Sequence, residues 1–181
     1  MSTSAEEKAL PWRAAVWDQL GASIDMLENA IRACPDGLWG DPSRKPTWDD
    51  RGVVGFWYLA FHTLFFLEYY AADDTDAFRP PAPFTRDELD PSGLLPERPY
   101  TKEELLRYLE HCRRRVHRVV HSMSDAAAAA PAGKGKPDLT NLALLIQSTR
   151  HVQHHVAQLQ LMLRQATGAA PRWVGRAASF S

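Results

Sequence analysis

The stretch FWYLAFHTLFFLEYY, residues 56–70, has the length of a helix and is apolar on nearly every side. A helix with one apolar stripe needs one packing partner, whereas a helix apolar all round must be enclosed by several. The longer run containing it, VVGFWYLAFHTLFFLEYYAA, is interrupted by His62, Thr63 and Glu68, which suits a core helix better than a membrane span. The segment, from about Val53 to Ala72, is therefore expected at the centre of a helical assembly.

The rest of the chain supplies the enclosure. A first helix is predicted from Pro11 to Ala33, with Val16, Leu20, Ile24, Leu27 and Ile31 at three- and four-residue spacing before CPDG ends it. DPSRKPTWDDRG then reads as a loop. A third helix starts after Thr101, whose capping box is completed by Glu104, and carries the stripe Leu105, Leu109, Cys112, Val116, Val120 and Met123. The alanines of SDAAAAAPAGKGKPDL are able to prolong it, and Pro131, Gly133, Gly135 and Pro137 make a flexible link. A fourth helix runs from about Thr140 to Ala166, with Gly168 placed to stop it. The tail APRWVGRAASFS carries no assignable pattern. Without strand-like alternation or internal repeats, residues 1–181 are expected to form one all-α domain, a four-helix bundle.

Residues 73–100 contain six prolines and no helical pattern. A helical hairpin needs far fewer residues, but 28 suffice to travel the length of a bundle, about 30 Å for a 20-residue helix. The second and third helices are thus expected to be parallel, joined by a long crossover.

Charge and cysteine usage narrow the function classes. The 21 Lys and Arg are balanced by 22 Asp and Glu, and the most basic run, RYLEHCRRRVHR, reads as the outer face of a helix; no nucleic-acid partner is expected. Two cysteines, Cys34 and Cys112, both in apolar patterns, do not make a disulfide framework. No signal-peptide pattern opens the chain, so a cytoplasmic protein without membrane association is expected.

The histidines carry the chemistry. In RHVQHHVAQLQLMLRQ, 100° per residue places His155 beside Leu144 and Met162, and His151 at the edge of the same apolar region. The core arc itself is expected to hold Leu142, Leu145, Ile146, Thr149, Val152, Val156, Leu159 and Leu163. His154 looks outward, and Gln158 follows one turn after the pair. Two imidazoles one turn apart are able to converge on one ion. A second such pair, His117 and His121, lies away from its own helix's stripe and is expected to be solvated or salt-bridged, with no third ligand. His62, within the most apolar helix, needs a partner: a tyrosine, a backbone carbonyl, or a metal ion shared with His151 and His155. Glu68 faces a different side of that helix and is not placed to serve as a base there.

FWYLAFHTLFFLEYY, followed about ninety residues later by RHVQHHVAQL, resembles the DinB-like superfamily of metal-binding helical bundles, as do PDGLWGDP, the proline-rich crossover, YTKEELLRYLEHCR and the closing PRWVG. The resemblance covers nearly the whole chain. It implies an up-down-down-up bundle, often a homodimer, in which His62, His151 and His155 are the metal triad and Gln158 a polar neighbour. It also implies a divalent cofactor, zinc first, with nickel, iron and manganese as alternatives. The family's range includes bacillithiol and mycothiol transferases, so the leading expectation is transfer of a low-molecular-weight thiol to an electrophile. Metal-dependent hydrolysis and non-catalytic metal or ligand binding are the alternatives, and Trp48 and the 73–100 loop are expected to border the site.

Overall fold

The computed structural model describes residues 11–41, 55–133, 136 and 138–178. These form α1 (Pro11–Ala33), the single turn α2 (Asp36–Trp39), α3 (Phe56–Tyr70), α4 (Lys102–Ser122), the short α5 (Asp125–Ala129) and α6 (Asn141–Thr167). Among the described residues there is no strand, only an isolated bridge between Pro131 and Thr140. None of the described helices is long and apolar enough to cross a membrane. Trp48 and most of DPSRKPTWDDRG lie outside the described residues.

Four long helices make the bundle, and their side-chain pairings give their directions. Trp17 packs on His117 while Asp25 and Glu28 pair with Arg113, so α1 and α4 are antiparallel. Trp57 touches Tyr100, Glu68 meets Tyr108 and His111, and Arg115 reaches the Ala71 carbonyl: both segments advance together, so α3 and α4 are parallel. His62 packs on His155 and Phe66 on His151, so α6 runs back against α3. The order is up-down-down-up. Eleven residues of α3 are buried, and only His62, Phe66, Tyr69 and Tyr70 are partly exposed.

Local signals set most helix ends. Thr101 Oγ1 accepts from the Glu104 amide at 3.2 Å while Glu104 accepts from the Thr101 amide at 2.8 Å, the reciprocal capping box. Arg98 clamps that glutamate at 2.6 Å and holds its carboxyl down at about 2. Thr140 caps α6, and Gly168 ends it in the left-handed conformation at φ 77°. Three expectations shift. The central helix begins at Phe56 rather than Val53, after Gly55, whose backbone lies so close to Gly40 and Asp41 that a Cβ would sit 3.1 Å from a backbone atom. The alanines do not prolong α4: extended backbone at Met123 ends it, and Ser124 caps the separate α5. Ile146 is 51% exposed, because the buried arc of α6 is turned toward Leu144, Ser148, His155 and Met162, the side that meets α3.

Phe78, Phe84 and Tyr100 pin the crossover to the bundle, while the rest of residues 73–100 is half-buried or exposed. Phe78 and Phe84 are buried, Phe84 stacking on Tyr108 with ring centroids 4.2 Å apart, and each such ring contributes roughly 1.5–3 kcal/mol. Between them and Tyr100, the one-turn 3-10 helix Asp87–Leu89 lies over the bundle. The tail also has a place, along α1: the Ala177 amide donates to the Asp18 carbonyl at 2.9 Å and Arg176 pairs with Asp18. Gly21 permits this approach, since a Cβ there would meet Ala177 at 2.6 Å.

Candidate metal centre

His62 projects from the outer side of α3 toward α6, where His151 and His155 stand one turn apart. One nitrogen from each of the three rings lies within 4.8 Å of the others. His155 Nε2 and His151 Nε2 are 3.1 Å apart, close to the roughly 3.3 Å edge of a tetrahedron with metal–nitrogen bonds of about 2.0–2.1 Å. Phe66 walls the cluster, its ring 4.9 Å from His62 and 6.0 Å from His151. His155 is buried, His62 and His151 are half-buried, and His154 is exposed.

Hydrogen bonds at the far nitrogens decide which lone pairs face inward. His62 Nδ1 donates to Glu88 Oε2 at 2.7 Å, and His155 Nδ1 donates to Gln158 Oε1 at 2.7 Å. A carboxylate and an amide oxygen only accept, so both rings place a proton on Nδ1 and leave Nε2 as the nitrogen available to the cluster. Burial first, then the neighbouring His155 and His62, presses the His151 imidazole down to about 3. For His155, burial and its histidine neighbours outweigh the opposing Gln158 bond and Glu88, giving about 4. These two rings are neutral at pH 7, the state in which imidazole binds metal.

The donor set therefore fits a divalent ion: three convergent imidazoles with two of their far nitrogens held by acceptors. A second feature agrees with this. Glu88 is only 4% exposed, and its Oε1 has no hydrogen-bond partner among the described residues, so a buried carboxylate stands directly behind the cluster. Glu88 was not identifiable from the sequence. It is one acid in an irregular segment with several, and only the folded crossover brings it to His62.

Other sequence candidates resolve differently. His121 is exposed, as expected, and His117 is half-buried; the two rings stack on one another at 4.0 Å, and His117 packs edge-on to Trp17 at 4.6 Å. The only cluster of three or more potential ligands among the described residues is the one at His62. Glu68 faces α4, accepting from Tyr108 Oη and His111 Nε2, each at 2.7 Å. Both cysteines are buried and free, with burial pushing Cys34 up to about 12 and Cys112 well above its ordinary value, so neither thiol is poised as a nucleophile.

An all-helical bundle with a three-histidine cluster able to hold a metal ion is the class of protein that fold and site define. A family profile described as the DinB superfamily matches residues 19–159, from α1 through most of α6 and across all three histidines, and the chain belongs to that superfamily. No curated protein and no solved structure gives a match.

Proposed function

We propose that the protein is a metal-dependent enzyme that transfers a low-molecular-weight thiol, of the bacillithiol or mycothiol kind, to an electrophilic substrate, with His62, His151 and His155 holding a divalent ion, zinc in the first instance. The observation that carries this reading is the convergence of three ring nitrogens within 4.8 Å, two of them with protonation fixed from behind. When bound, such an ion supplies Lewis acidity, favouring thiolate over thiol at neutral pH. The chain's own part is positional. Glu88 and Gln158 set two rings, and burial keeps His151 and His155 unprotonated. Phe66 narrows water access on one side.

On another side, a trough of about 850 Å³ extends from His151 past Arg150 and His154 to Trp173 of the tail and Gln19 of α1. Arg150 and the amides of Gln19, Gln147 and Gln153 along it suit a hydrophilic, anionic thiol or co-substrate. With both cysteines buried, the nucleophile in this reading comes from the thiol substrate and not from the protein.

Metal analysis of protein purified without an affinity tag, followed by thiol-consumption assays with bacillithiol, mycothiol and glutathione against a panel of electrophiles, tests the proposal. One equivalent of divalent ion and metal-dependent loss of one of these thiols is the expected result. Stoichiometric metal with no thiol turnover sinks the transferase reading and leaves hydrolysis or ligand binding, and absence of metal affinity removes the centre altogether.

A further inference from the structure

We propose that Glu88 is a positioning residue that couples the crossover to the metal centre: it fixes the His62 ring for coordination, and occupation of the site in turn holds the turn at Asp87–Leu89 closed. The inference rests on the metal-binding reading of the three histidines, and it concerns a residue that neither the histidine spacing nor the family match points to.

Glu88 is a carboxylate with 4% side-chain exposure that makes one hydrogen bond, to His62 Nδ1 at 2.7 Å, and leaves Oε1 without a partner among the described residues. A carboxylate serving only to fasten a loop would be better satisfied, because burying a charged oxygen unpaired is expensive. Glu68 shows the satisfied alternative in the same molecule, with one donor on each oxygen. Behind a histidine that ligates a cation, Glu88 gains what it otherwise lacks: a positive charge across the ring, and a ligand whose basicity its own hydrogen bond raises.

The backbone is built to deliver this side chain. Phe78 and Phe84 anchor the crossover before the turn, Thr85 Oγ1 donates to Asp87 Oδ2 at 2.6 Å, and the Leu89 and Asp90 amides close the turn on the Arg86 and Asp87 carbonyls at 2.9 and 3.0 Å. Opening that turn withdraws Glu88 from His62. Linkage then requires reciprocity: whatever factor the closed turn adds to metal affinity, the metal adds to turn closure.

The experiment compares the full chain with Glu88→Ala and Glu88→Gln, both with unchanged helical circular dichroism. Zinc affinity is read by competition with a chromophoric chelator, and hydrogen exchange is followed at the Leu89 and Asp90 amides with and without zinc. Glu88→Ala is expected to bind zinc about 10- to 100-fold more weakly, with Glu88→Gln in between because its amide oxygen still accepts from Nδ1. In the parent, zinc should slow exchange at the two amides by a similar factor; in Glu88→Ala it should not. Parent and Glu88→Ala binding one zinc with equal affinity overturns the inference while leaving the metal centre standing. A parent that binds no zinc overturns both.

Discussion

The bundle contains two pairs of histidines with identical spacing, His151/His155 on α6 and His117/His121 on α4, and they do different things. In the first pair the rings meet edge-on at 86°, with their Nε2 atoms 3.1 Å apart and His62 facing them from α3. In the second the rings stack at 29°, His121 Nδ1 bonds to the His117 carbonyl, and the facing residue on α1 is Trp17. Spacing brings two imidazoles to one side of a helix; the residue on the neighbouring helix decides whether they become a donor set or an aromatic seat. Two carboxylate–imidazole contacts repeat the contrast. Glu88 holds a ring whose other nitrogen faces the cluster, whereas Glu68 holds His111, which borders a surface groove lined by Arg107, Arg114, Arg115 and Arg118.

The largest expected effect breaks the first pair and spares the second. Removing one of three imidazoles by His62→Ala or His155→Ala should weaken zinc binding about 100- to 1,000-fold, taking the apparent total for a full structural site as a guide. His117→Ala and His121→Ala should leave the affinity unchanged. Isothermal titration of the metal-free proteins checks this, and comparable losses in both sets would dissolve the distinction.

The two glutamates should separate in the opposite sense. Glu68→Ala leaves the buried Tyr108 hydroxyl without its acceptor, at a cost of about 1–3 kcal/mol in urea unfolding, and should not alter zinc affinity. Glu88→Ala should affect zinc affinity far more than metal-free stability. A Glu68 variant that loses metal would mean that the α3–α4 contact, and not the pocket alone, holds His62 in place.

How much of this was legible in the sequence follows from how local each determinant is. Thr101, Glu104 and Gly168 act within one turn of chain, and their roles could be read directly. The side of α6 that carries His151 and His155 follows from helical period alone. The centre of the buried arc does not, because it depends on which neighbour packs tightest, and so Ile146 was expected inside but is exposed. Glu88 and the tail were illegible for a stronger reason. Each is placed by contacts with residues distant in the chain, His62 in one case and Asp18 and Asp25 in the other, and no spacing rule within either segment encodes them.

Acid should distinguish the pairs in the metal-free protein. His151 and His155 have folded values of about 3 and about 4 against an ordinary 6.5, chiefly through burial. Between those values the unfolded chain binds more protons than the folded one, so their contribution is fully present above about 6.5 and is lost as pH falls toward 3–4. His117 is shifted the same way, by burial and then by His121. The urea midpoint should therefore fall between pH 7 and about pH 4.5. His151→Gln with His155→Gln should flatten this slope more than His117→Gln; equal slopes in all three proteins would contradict the difference in burial.

The smallest effects lie within the α4 pair. His117 is half-buried with its ring 4.6 Å from Trp17, whereas His121 is exposed and 6.1 Å away. An edge-on aromatic contact of this kind contributes roughly 0.5–1.5 kcal/mol, so His117→Ala should destabilise by about that amount. His121→Ala should stay within about 0.5 kcal/mol, as surface changes usually do. A double-mutant cycle with Trp17→Phe sharpens the assignment, because the coupling should appear with His117 and vanish with His121. Coupling of equal size to both histidines would show that the stack itself, acting as one aromatic surface, seats Trp17 and joins α1 to α4.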